Sequence, residues 1–352
     1  MNWRKNEGYC MRKVTGIFFF LLLAIAEFSW GQSARLLRQR RLNRWDIPPA
    51  NYSGIVPMGN GRYAVVSDKG KADGFYLWHV EQDSCTGKVL SVTAEGFRQA
   101  YSATSTQFPQ RDSEGIAWNG TEGKLWISAE DDQQILAYLP DGYRTGERLP
   151  VPQSFSRKAI HPNYGFEALT YSSASDCFWA MTENRLRADG PAVGPDYCDT
   201  LRLPLLALTS DSAWIDAVYP VDPPKARHRG RAHVYGVVAL TALDDGRLLV
   251  LERELHVSRR LLNTWAVHRI YCVQPSKRAT TGSFVLSKTL IATFRNRLAR
   301  FNLANYEGMC PGIRLHDGRQ TLLLINDSQA GMGNRLYRLK DYIRVVVLPE
   351  GF

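Results

Sequence analysis

The chain has 352 residues, 44% apolar and 22% charged, with a formal net charge of +10. That balance is typical of soluble globular proteins and excludes collagen-like, disordered and coiled-coil chains as the main architecture. Nine Trp, 16 Tyr and 14 Phe, punctuated by 28 Gly and 17 Pro, favour many short strands joined by turns.

Taken in chain order, Arg12 and Lys13 precede an uninterrupted apolar run, Val14 to Ala26, and a short polar stretch ends in Ser29-Trp30-Gly31. This is the layout of a secretory signal peptide over residues 1–31. Met11-Arg12-Lys13 makes a better basic start than the ten residues before it. No later stretch is apolar for long enough to cross a bilayer. The expectation is an exported protein, periplasmic or extracellular, with no membrane span once the signal is cleaved. Residues 1–31 hold four basic and two acidic residues, so their removal leaves +8. Residues 32–45 form a basic arm with Arg35, Arg38, Arg40, Arg41 and Arg44, and Lys225, Arg227, Arg229 and Arg231 make a second basic stretch. Both read as solvated arm and loop. They lack the interleaved aromatics of a single-strand binder and match no nucleic-acid module, so no nucleic-acid partner is expected. After cleavage five cysteines remain, none in a CxxC pair, which excludes a zinc ribbon or a thioredoxin-type centre. Cys177 and Cys198 are the closest pair in sequence, and most of the five read as buried apolar residues.

From Trp45 onward one pattern recurs: an acidic or small residue beside Gly or Ala, an apolar strand, a turn, and a second strand ending in acidic or hydroxyl groups. The copies begin at Tyr52-Ser53-Gly54, Ser113-Glu114-Gly115, Gly165-Phe166-Glu167, Val238-Ala239-Leu240 and Tyr306-Glu307-Gly308. Their second strands end at Ser67-Asp68, Glu130-Asp131, Glu183-Asn184, Glu252-Arg253-Glu254 and Asn326-Asp327. Asn60-Gly61, Asn119-Gly120 and Asp244-Asp245-Gly246 supply hairpin turns. Gly74–Val80 and Trp265–Tyr271 add strand-like runs in the gaps, and 295–301 reads as a short helix or loop. Four strands per unit, repeated five or six times, predict an all-β fold: a β-propeller of five or six four-stranded blades forming one domain over residues 46–352.

The ordered pairs Glu114–Trp118 with Leu125–Glu130, Phe166–Thr170 with Trp179–Asn184, Leu249–Arg253, and Asn305–Gly308 with Leu324–Asp327 resemble the phytase-like family, the exported bacterial domain called "esterase-like activity of phytase". The resemblance spans roughly Trp45 to Leu348. It implies a β-propeller that hydrolyses phosphoesters or esters through recurring Glu and Asp.

If the repeated acidic positions face one rim, Asp68, Glu114, Glu130, Glu167, Glu183, Asn184, Glu252, Glu307 and Asp327 would gather there as oxygen donors for a hard cation such as Ca²⁺. Clustered carboxylates repel one another without a cation. Glu167 and Glu183 are the candidate catalytic groups. Lys69, Arg253 and Arg335 would bind a small anionic ester substrate; Arg253 could equally neutralise Glu252 or Glu254. The leading expectation is a metal-dependent phosphate-ester hydrolase. Alkaline propeller phytases carry a DDPA-type motif, whereas this chain offers only Asp131-Asp132-Gln133, which counts against phytate itself. The alternatives are a calcium-dependent lactonase or carboxylesterase and a non-catalytic binding propeller. No HExxH, GxSxG or P-loop is present.

Overall fold

The computed structural model describes residues 33–194, 199–276, 284–329, 331 and 338–352. Arg335 and Cys198 lie outside them, and so do the expected signal peptide and the other half of a Cys177–Cys198 pairing. Two short strands open the described chain, β1 (Arg35–Leu36) and β2 (Arg40–Arg41). Blade 1 follows as β3 (Tyr52–Gly59), β4 (Arg62–Ser67), β5 (Gly74–Gln82) and β6 (Val89–Gln99). Blade 2 is β7 (Ser113–Asn119), β8 (Lys124–Ala129), β9 (Ile135–Tyr138) and β10 (Arg144–Arg148). Blade 3 is β11 (Phe166–Ser172), β12 (Cys177–Thr182), β13 (Arg202–Leu208) and β14 (Ala213–Pro220). Blade 4 is β15 (Ala232–Ala242), β16 (Leu248–Val257), β17 (Trp265–Val273) and β18 (Lys288–Arg297). Each is an antiparallel meander paired in chain order.

Blade 5 closes the ring. Its strands β19 (Asn305–Arg314), β20 (Gln320–Asp327) and β21 (Tyr342–Val347) are completed by β1 and β2, both paired antiparallel to β21. The basic arm expected to lie outside the propeller is therefore its closing strand, and the ring has five blades. The apolar residues between the arginines explain the difference: Leu42 is fully buried, and Leu36 and Leu37 pack against the core. The 295–301 stretch divides between the end of β18 and a single helical turn, Leu298–Arg300.

Burial follows from radial packing. The second strands are covered on both faces, so β12 and β20 are buried at every position, whereas the outermost β6 and β18 alternate with exposed residues. Five apolar clusters fill the five interfaces between neighbouring blades, with Trp179, Tyr52 and Tyr138 among the largest side chains. Cys177, Cys272 and Cys310 are buried in these layers and Cys85 is exposed.

A carboxylate cluster on the propeller axis

Each innermost strand breaks its register with the next strand at the same place. The pairing passes from Tyr52↔Ser67 to Gly54↔Val66, from Phe166↔Thr182 to Ala168↔Met181, from Val237↔Glu252 to Ala239↔Leu251, and from Tyr306↔Asn326 to Gly308↔Ile325. In blade 2 the break lies between Ser113↔Ala129 and Ile116↔Ile127. A bulge inserts one extra residue and re-aims its side chain. The re-aimed positions are Ser53, Glu114, Glu167, Val238 and Glu307, and together with their neighbours they line a small axial space of about 10 Å³. Below them Ile55, Ile116, Leu169, Leu240 and Met309 plug the axis.

The same register defines a second ring, one residue beyond the second-strand partner at each break (Ser67, Ala129, Thr182, Glu252 and Asn326): Asp68, Glu130, Glu183, Arg253 and Asp327. A third ring lies one residue before the first-strand partner at each break (Tyr52, Ser113, Phe166, Val237 and Tyr306): Asn51, Asp112, Gly165, Gly236 and Asn305. The last two rings are tied by backbone bonds, Asp68 N–H to the Asn51 carbonyl (3.0 Å), Glu130 N–H to Asp112 (2.9 Å) and Glu183 N–H to Gly165 (3.0 Å). A Cβ on Gly236 would collide with the Glu183 carbonyl.

Two expected site residues fall elsewhere, and a third takes another role. Glu252 points away from the axis, accepting the Tyr219 hydroxyl (2.8 Å) and the Lys288 ammonium (2.6 Å). Asn184 is saturated: its Nδ2 donates to the Val193 carbonyl (2.9 Å), and its Oδ1 accepts the Arg185 and Val193 amides (2.9 and 3.1 Å). Arg253 does reach the axis, but as the cation of the carboxylate ring. One Nη pairs with Glu183, and the other donates to Glu307 and to Asn305 Oδ1, both at 2.9 Å. Its side chain is 4% exposed. Neither Glu252 nor Glu254 is the partner it neutralises. Glu254 instead accepts the amides of Lys225 and Ala226 (2.8 Å) and contacts His233 Nε2 (3.2 Å).

The remaining acids converge. Asp68, Asp112 and Glu114 each offer a carboxylate oxygen within 4.8 Å of the others, and so do Glu114, Glu130 and Glu167. Glu114 belongs to both groups. No described residue donates a hydrogen bond to the carboxylate of Glu114 or Glu167. Asp68 Oδ1 and the neighbouring Asn51 Oδ1 are buried without a hydrogen-bond partner, Asn51 being 5% exposed. Burial holds the Glu114 carboxyl well above the usual range, and Glu167, Asp68, Glu307 and Glu130 push it the same way. Glu167 and Glu307 are raised for the same first reason, with Arg253 opposing. Burial and then Asp327 push Asp68 up to about 7. Glu130 is also pushed up to about 7 by burial, against the pull of the Gly165 amide that it accepts. Two cations flank the mouth. Lys69 is largely exposed, 3.6 Å from Asp68, and exposed Arg157 draws Asp112 and Glu130 back toward their charged forms.

The donor set is suited to a hard cation. It is all oxygen, with no His or Cys, and it leaves oxygens without protein partners. Asp112 and Arg157 escaped the sequence reading. Asp112 precedes its strand rather than ending one, and Arg157 sits on an inter-blade loop far from the repeated motif.

Fold and site together define an all-β, five-bladed propeller whose axis opens into a mouth of buried carboxylates. The phytase-like family, described as "esterase-like activity of phytase", matches residues 47–329, and the chain belongs to it. No curated protein matches the chain. Similar solved structures include a streptogramin B lyase (13% identity over 90% of this chain and 99% of that one, TM-score 0.35). Another is an endo-arabinase from Bacteroides thetaiotaomicron VPI-5482 (10% identity, 89% and 96% covered, TM-score 0.43). A third is a chain of a nidogen/laminin complex (9% identity, 83% and 84% covered, TM-score 0.38).

Proposed function

We propose that the chain is an exported, metal-dependent hydrolase of phosphate esters, with Ca²⁺ as the cation. The observation that carries this reading is the sharing of Glu114 between two carboxylate triads in a mouth flanked by Lys69 and Arg157. Asp68, Asp112, Glu114, Glu130 and Glu167 would hold the cation, which when bound supplies Lewis-acid charge stabilisation to a phosphoryl oxygen. Arg253 is committed to Glu183 and Glu307 behind the triads and is not spare for substrate. Lys69 and Arg157 are the groups that would draw in and orient an anionic ester.

Two accessible cations suit a singly substituted phosphate ester better than phytate with its many charges. The same observation favours a second reading, a calcium-dependent lactonase or carboxylesterase, which needs less positive charge. Both are tested by measuring product release from a panel of phosphate monoesters, phytate, lactones and aryl acetates, with Ca²⁺ and with chelator. Phosphate release that disappears with chelator and in Glu114→Gln supports the first reading. Release only from lactones or acetates moves the assignment to the second, and no release from any substrate overturns both.

A further inference from the structure

Away from the axis, three segments distant in sequence meet at one edge of the ring. The β16–β17 hairpin tip carries Arg259-Arg260-Leu261-Leu262, and the end of β18 with the turn after it carries Arg295, Arg297, Arg300 and Phe301. The two are joined by the Leu298 amide donating to the Thr264 carbonyl (3.0 Å) and by the pairing of Arg297 with Trp265. The third segment is the N-terminal arm. Gln39, between Arg38 and Arg40, donates to the Asn302 carbonyl (3.2 Å) and accepts from Asn296 Nδ2 (2.8 Å). Segments 38–41, 259–262 and 295–301 contain eight arginines and no carboxylate. Among the described residues none of these arginines forms an ion pair with an acidic side chain.

Apolar side chains protrude from the middle of this charge. Leu261 is 46% exposed, Leu262 65% and Phe301 64%. A pair of leucines held out on a one-turn helix (Leu261–Asn263) contributes nothing to the core, since no residue of that turn is buried. We propose that this edge docks the propeller on the surface of an anionic phospholipid bilayer. The arginines would meet lipid phosphates, which guanidinium groups bind in a two-pronged fashion, and Leu261, Leu262 and Phe301 would enter the acyl boundary. Charge alone would suit any polyanion, but exposed leucines ringed by arginine are complementary to a surface that is anionic outside and apolar beneath. The edge lies at the axial end where the carboxylates gather, because β16 runs on from Arg253 through Val257 to the hairpin tip. The docking stands whether or not those carboxylates turn over an ester.

The test is vesicle co-sedimentation of the chain from Ser33 onward, which contains every strand of the closed ring. The vesicles are phosphatidylcholine alone and phosphatidylcholine with 30% phosphatidylglycerol (~30%, enough to give a strongly anionic surface). Binding is expected to the mixed vesicles only, and to weaken with salt. Removing two surface charges in Arg259→Gln/Arg260→Gln should weaken it about 25-fold, at roughly fivefold per arginine. Leu261→Asn/Leu262→Asn should weaken it about tenfold or more. Both pairs are exposed, so the thermal midpoint serves as the folding control and should not move. Equal binding to both vesicle types, no binding to either, or wild-type binding by the leucine variant overturns the proposal. The last result would mean the edge reads charge alone.

Discussion

At the scale of single residues, the axial carboxylates are destabilising on their own account, and that makes their partners measurable. Glu114→Gln is expected to raise the thermal midpoint of the chelated protein, because it removes a buried acid whose ionised form burial and the neighbouring carboxylates disfavour. If Ca²⁺ is the cation, the wild type should melt higher with Ca²⁺, and the variant should lose that rise. A Gln variant that still responds to Ca²⁺ would place the ion elsewhere. Arg253→Met acts in the opposite sense. It strands Glu183 and Glu307 without their cation, and denaturant unfolding in chelator should show a loss of about 3–5 kcal/mol. The pH dependence has a definite sign. Asp68 and Glu130 titrate at about 7 in the fold against ordinary values of 3.8 and 4.5. The folded chain therefore retains protons that the unfolded chain has released, and stability falls as pH rises from about 4 to 7. The chelated protein should melt higher at pH 5 than at pH 8, and Ca²⁺ should flatten that slope. A chelated midpoint that rises with pH over this range would contradict the shifts.

At the scale of elements, the recurring run of apolar residues ending in an acid was readable because an inner blade strand, covered on both faces, leaves a long apolar word in the sequence. Its register was not readable. Glu252 ends such a run and looks like the counterpart of Glu183, yet Val237↔Glu252 corresponds to Phe166↔Thr182, so the counterpart is Arg253. A slip of one residue sends a strand's side chains to the opposite face, which is why Glu252 meets Lys288 while Arg253 meets the ring. The bulges carry a similar lesson: no local pattern announces them, but they turn Glu114, Glu167 and Glu307 toward the axis. Close approach of the first strands keeps the bulges aligned, since a Cβ on Gly54 would strike the Glu114 carbonyl. Gly54→Ala should therefore push β3 from β7, lower stability by about 1–3 kcal/mol, and weaken the Ca²⁺ response carried by Asp68, Asp112 and Glu114. A wild-type melting curve with and without Ca²⁺ would show that the two strands tolerate separation.

At the scale of the whole molecule, the axial cluster draws side chains from all five blades. Blade 4 supplies Arg253, blade 3 supplies Glu183 and blade 5 supplies Glu307 and Asp327, while the Asn51–Asp327 bridge joins blade 5 to the start of blade 1. What seats blade 5 is the N-terminal arm: Arg35 and Leu36 pair with Val347 and Val346, and Arg40 and Arg41 with Ile343 and Tyr342. The arm thus joins the two ends of the chain and caps an edge that would otherwise present unpaired backbone groups. Deleting residues 33–41 leaves every carboxylate in place in the sequence but opens the ring. The truncated protein should melt lower by about 5 °C or more, associate through the bared β21 edge in light scattering, and lose most of the Ca²⁺-induced rise in midpoint. Glu114→Gln should abolish that rise too, but without lowering the chelated midpoint or promoting association, which separates loss of a ligand from loss of closure. If the truncated chain keeps its full Ca²⁺ response, the axial cluster is held by the inner strands alone and the arm serves only the rim.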